Sequence, residues 1–162
     1  MADPTRLYIE STIPSYVAAR PAKDLLQAAR QRLARRWWHQ DSQGHQLYIS
    51  ELVLQEIGKG DSEQSAARLE LVRSLPILEA NDATNLLARK LLASNLVPAT
   101  AGADAVHIAV ATVHRMDFLL TWNCRHIANG TIRGRLRSMA LSEGYALPEI
   151  VTPEELVEKP DG

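Results

Sequence analysis

AGADAVHIAVATVHRMDFLLTWN, residues 101–123, sets one carboxylate at the head of a buried helix and then sends the chain straight into a buried strand. From Ala105 to Val113 the residues are apolar almost all the way round (Ala105, Val106, Ile108, Ala109, Val110, Ala111, Val113), the pattern of a central helix covered on several sides. Asp104 enters that apolar surrounding from the helix N-terminus. After the break at Met116-Asp117, Phe118-Leu119-Leu120-Thr121 is a short apolar run of the kind an interior parallel strand shows, and Trp122-Asn123 closes it. Helix then strand is half of a βαβ unit. In an open α/β sheet ligands bind outside the carboxyl ends of the strands, so Asn123 falls at the functional edge and Asp104 reaches it from a helix N-terminus.

Working outward, Leu7-Tyr8-Ile9 is a β-prone run that ends at Glu10, with Ser11-Thr12 and Pro14 cutting the pattern off, so Glu10 sits at a strand's carboxyl end. Residues 22–40 predict a helix whose apolar stripe is Leu25, Leu26, Ala29, Leu33 and Trp37 and whose other faces carry Arg30, Arg32, Arg35 and Arg36. Leu47-Tyr48-Ile49 is a second strand, and Ser50 is the expected N-cap of a helix ELVLQEI ending at Gly58. In that helix Glu56 shares the apolar face with Leu52 and Val53, while Glu51 and Gln55 point elsewhere. Further helices are expected over 62–74, 82–94 and 132–142, with short strands at Ile77-Leu78 and Glu149-Ile150-Val151 and a fraying tail EKPDG.

The totals bound the function classes. At 162 residues, the chain is expected to be one domain, with its core over about 7–151 and no interdomain linker. Eighteen basic and nineteen acidic residues leave a formal charge of −1, so no global positive field argues for nucleic acid and any such contact is local. Cys124 is the only cysteine, which excludes an intramolecular disulfide and a Cys-based structural zinc site and fits a reducing cytosol. No apolar stretch has signal-peptide or transmembrane character, so a soluble cytoplasmic protein with no membrane partner is expected. There is no Gly-rich phosphate loop, no G-x-S-x-G elbow and no H-E-x-x-H.

Each polar candidate has a bland explanation: Glu10 ends a strand, Glu56 reaches a helix edge, Asp104 is a first-turn acid favoured by the helix dipole, and Asn123 is a turn residue. Their joint placement argues otherwise. Three acids and an amide converging on one sheet edge destabilise one another unless a cation holds them, and a carboxylate cluster suits Mg²⁺ or Mn²⁺, not zinc. His107 and His114 lie seven residues apart on one helix, too far to chelate one metal easily. Both are expected as hydrogen-bonded core or surface residues, outside the site. His126 is expected to be a turn residue with no further role, and the arginine run beside Trp37 and Trp38 a solvated face.

LYIESTIPSYV, SELVLQEI and above all ADAVHIAVA followed by MDFLLTWNCRHIAN resemble the PIN-domain nucleases, and within them the VapC-like toxins of type II toxin–antitoxin pairs. The resemblance runs from about Leu7 to Val151. It implies an α/β/α three-layer domain with a short central parallel sheet and a Mg²⁺- or Mn²⁺-dependent endoribonuclease. The family's acidic constellation falls on Glu10, Glu56, Asp104 and, at the fourth position, Asn123, with Glu10, Asp104 and Glu56 as metal ligands. Ser11, Thr12 and Thr121 are the nearby hydroxyls for contacts to water or phosphate. The implied partners are an RNA substrate, a small antitoxin and a second copy of the chain. Two departures stand out: the first acid is more often Asp, and Asn123 supplies a neutral oxygen where a fourth acid is common. Lower site charge weakens cation affinity. Two other classes fit the same residues: a degenerate PIN module that binds RNA or a protein without cutting, and another small α/β phosphate-handling domain, which would need a nucleophilic Asp where the first strand offers Glu10.

Overall fold

Five short parallel strands, β1 (Arg6–Ile9), β2 (Gln46–Ser50), β3 (Ile77–Leu78), β4 (Phe118–Leu120) and β5 (Glu149–Val151), form one sheet in the order β3-β2-β1-β4-β5 in the computed structural model. The structure describes residues 3–157; the tail EKPDG, expected to fray, lies outside the described residues. β1 is central, with Tyr8 in register with Tyr48 of β2 on one side and Leu119 of β4 on the other. Leu7, Tyr8, Ile9, Leu119 and Leu120 are all fully buried, as expected of strands covered on both faces.

The helices are α1 (Thr12–Ala18), α2 (Leu25–Arg36), α3 (Glu51–Ile57), α4 (Ser62–Val72), α5 (Asp82–Ala93), α6 (Gly102–Val113), α7 (Gly130–Ser142) and α8 (Pro153–Leu156). Parallel crossovers are right-handed, so the reversal of strand order at β1 and β4 sends α1–α4 to one face of the sheet and α5–α7 to the other. The packing agrees: α1 lies on α2 and α4, and α5 on α6. The result is the expected three-layer α/β/α architecture. The crevice between the carboxyl ends of β1 and β4 is its topological switch point. No helix among the described residues is long and apolar enough to cross a membrane.

Several local expectations are corrected. Ser11-Thr12 and Pro14 do more than end a strand, because they open α1 directly; Pro14 fits its first turn, where a missing N–H leaves no helix bond unmade. Leu25 and Leu26 stand 87% and 60% exposed, outside the core. α2 is anchored instead through buried Gln31 and Ala34, with the Gln31 amide donating to the carbonyls of Ala19 and Arg20. The helix then passes into a π-helical turn, Trp37–Asp41. Its arginines are not merely solvated: Arg35 donates to the carbonyls of Val17 and Ala19, and Arg30 lies 5.5 Å from the Trp122 ring centre. Ser50 occupies the N-cap position of α3 but makes no capping bond with its side chain.

Candidate active site

Glu10 follows the last residue of β1, and its backbone N–H continues the ladder to the Leu120 carbonyl of β4, so its carboxylate lies at the switch point. The side chain is 4% exposed, a placement a carboxylate tolerates only when its oxygens are bonded. Thr12 and Thr121 hydroxyls each donate to Glu10 Oε1 at 2.5 Å, and the Thr12 backbone N–H donates to Oε2 at 3.1 Å. The direction of both hydroxyl protons is forced. Thr12 Oγ1 also accepts the Trp122 N–H and Thr121 Oγ1 the Asn123 N–H, which leaves each hydroxyl proton to point at the carboxylate. The Trp122-Asn123 turn thereby orients two hydroxyls that hold Glu10.

Glu56 arrives from α3, on the face opposite to α6, and is half-buried while Glu51 and Gln55 are exposed, as its helical phase requires. Its Oε1 accepts from Ser11 Oγ at 2.7 Å and pairs with His107 Nε2 at 2.5 Å. Burial alone would raise the Glu56 carboxyl, but the hydrogen bonds from His107 and Ser11 more than offset it and hold the group below its ordinary value. The three hydroxyls expected to touch water or phosphate, Ser11, Thr12 and Thr121, are thus found donating to carboxylates.

His107 is a hydrogen-bonded core residue, one of the expected readings, but it lies against the site and not outside it. It is fully buried, with Nδ1 2.7 Å from the Tyr8 hydroxyl, which in turn lies 2.7 Å from Ser50 Oγ. Donor atoms of Glu10, Glu56 and His107 all fall within 4.8 Å of one another. The available signal was a polar side chain inside an otherwise apolar helix, one turn from Asp104 and on the same face. Asp104 itself sits in the first turn of α6, half-buried, and its side chain makes no hydrogen bond or ion pair among the described residues. It is not part of the close group formed by Glu10, Glu56 and His107. Asn123 lies at the rim with its Oδ1 accepting the His126 N–H at 3.0 Å, an arrangement that caps the following turn.

Two carboxylates with oxygens this close, at an open sheet edge, suit a hard divalent cation such as Mg²⁺ or Mn²⁺. His107 is a poor ligand in this arrangement, because both of its ring nitrogens already have partners. The donor set therefore fits the cation through oxygen, with Glu10 and Glu56 at its centre and Asp104 as an unengaged carboxylate on the neighbouring helix.

No protein-family model and no curated protein matches this sequence. Among solved structures, the chain is similar to one in the crystal structure of VapBC2 from Rickettsia felis bound to a DNA fragment from their promoter, with 13% identity and a TM-score of 0.53 over 91% of this chain and 98% of that one. At that identity the likeness is one of fold, and it agrees with the PIN-like architecture of an all-parallel sheet flanked by helices.

Proposed function

We propose that this chain is a Mg²⁺- or Mn²⁺-dependent endoribonuclease, the VapC-like toxin of a toxin–antitoxin pair, folded as a single PIN-like domain. The observation that carries the reading is the placement of Glu10, at the end of β1, and Glu56, on α3, with ligand oxygens inside a 4.8 Å group. The fold likeness to a chain of the VapBC2 structure supports the toxin assignment and a small antitoxin as partner. A homodimer and a cytoplasmic location belong to the same reading.

In this site Glu10, Glu56 and Asp104 would hold the cation. A bound divalent ion supplies positive charge to phosphate oxygens and acidifies a water. The chain's own part is positional. Glu10 is fixed by two threonine hydroxyls, and Glu56 keeps Oε2 free of hydrogen bonds from the described residues, available to the cation it would hold. A nucleophilic role for Glu10, which the phosphate-handling alternative would need, fits poorly with a carboxylate 4% exposed and accepting three hydrogen bonds.

Purified protein incubated with end-labelled RNA in Mn²⁺ is expected to cut, and to stop on addition of EDTA or in Glu10→Gln. Absence of metal-dependent cleavage, with RNA retained intact on the protein, would establish the degenerate binding module instead. The observation favouring that second reading is Asn123, whose oxygen is engaged by its own turn and adds no charge.

A further inference from the structure

His107 is completely buried in a helix whose other buried residues are apolar except for Thr112, and an unsatisfied imidazole there would be costly. Neither ring nitrogen bonds a backbone carbonyl, the usual way a core histidine is satisfied. Both go to side chains, and the chain of bonds they belong to runs from Ser50 at the end of β2, through Tyr8 on β1 and His107 on α6, to Glu56 on α3. It crosses the sheet at its carboxyl edge and ends on an acid of the candidate site.

With a neutral imidazole, one assignment of protons satisfies every member of this chain. An ionised Glu56 only accepts, so His107 Nε2 carries a proton and donates to Oε1. Nδ1 then accepts from the Tyr8 hydroxyl, and Tyr8 accepts from Ser50. Ser11 binds the same Glu56 oxygen from the α1 side. Two donors hold Oε1 inward, and Oε2 takes none from the described residues.

We infer that His107 is a positioning residue: held by Tyr8 and Ser50, it binds Oε1 of Glu56 from the buried side and so presents Oε2 to the open sheet edge. This rests on the nuclease reading, in which Glu56 belongs to the site. It is a role exerted through Glu56, not by contact with substrate.

The test replaces His107 by Phe, which fills the space without a hydrogen bond, and by Gln, which restores a donor toward Glu56. His107→Phe is expected to lower kcat on RNA and Mn²⁺ affinity, the latter read by calorimetry, by about 10- to 100-fold with KM for RNA unchanged, as loss of a ligand-orienting partner does. His107→Gln should recover most of both. A folded His107→Phe with kcat and Mn²⁺ affinity within about twofold of wild type would overturn the inference, since the factor expected is at least tenfold. If His107→Phe does not fold, Tyr8→Phe removes only the hydroxyl and is expected to shift kcat and Mn²⁺ affinity in the same direction. Should wild type itself neither cut RNA nor bind Mn²⁺, the nuclease reading fails, and nitrogen-resolved NMR of the histidines decides this inference separately. A protected Nε2–H signal for His107 that moves in Glu56→Gln supports it, and an Nδ1–H tautomer overturns it.

Discussion

Glu10 and Asp104 are both acids expected at one metal, yet their surroundings differ, and substitution separates them. All three groups bonded to Glu10 are donors, so an amide at this position turns its NH₂ toward one of them and strands a buried donor pair. Glu10→Gln is therefore expected to destabilise the metal-free fold by about 1–3 kcal/mol. Asp104 has no such bonds among the described residues. Its charge gains from the α6 dipole, an effect of roughly 0.3–1 kcal/mol at a helix terminus. Melting Asp104→Asn in EDTA should show a stability close to wild type while cleavage is lost. A large drop in its melting temperature would mark Asp104 as structural and remove it from the site. At Asn123 the contrast runs the other way. Asp retains the oxygen that accepts the His126 N–H, so Asn123→Asp is expected to leave the turn intact and tighten Mn²⁺ binding by adding a rim charge. Calorimetric titration of both proteins checks this, and equal affinities would place Asn123 in the turn alone.

At the scale of elements, the His107–Glu56 pair ties α6 to α3 across the carboxyl edge, two helices packed on opposite faces of the sheet. That link carries a pH dependence whose sign follows from Glu56. Its folded-state value lies below the ordinary 4.5, so its contribution to stability is fully present above about pH 4.5 and is lost as pH falls through the lower folded value. Glu56→Gln should flatten this acid limb in melting temperatures measured across that range. An unchanged acid limb would mean that the pair contributes nothing to folding. The short α1 depends on the same edge: Glu10 Oε2 takes the Thr12 N–H at the opening of this helix, so the acid of the candidate site is also part of the helix's start.

For the whole molecule, a cation held by the carboxylates drawn together at the edge would relieve their mutual repulsion. A ligand that binds only the folded state stabilises it by mass action, about 2.7 kcal/mol at a hundred times its Kd. Mn²⁺ is expected to raise the melting temperature of wild type in a concentration-dependent way and to do so much less in Glu10→Gln. Equal shifts in the two proteins would put the bound ion elsewhere. The rest of the molecule serves this edge by rigidity: β1 has neighbours on both sides, and the residues that line the crevice follow directly from β1 and β4.

Periodicity and punctuation by themselves determined the parallel α/β architecture, because a helix apolar all round and strands reading as continuous hydrophobic runs occur together only where a sheet is covered on both faces. They also placed Glu10 at a strand end and Glu56 on an inward helix face, since strand termination and helical phase are local properties of the chain. Leu25 and Leu26 show the limit of that reasoning: an apolar stripe names a candidate face, but what packs against α2 is set by Gln31 and Arg35 reaching the loop after α1. Ser50 shows it too, an N-cap by sequence whose hydroxyl instead serves Tyr8. His107 and Glu56 are 51 residues apart and meet only because the strand order reverses at β1 and β4 and brings helices of opposite layers to one edge. Local pattern carries no information about that meeting. The partners of the buried imidazole and the direction of the threonine protons were decided by tertiary structure alone, through the requirement that every buried polar group find a partner.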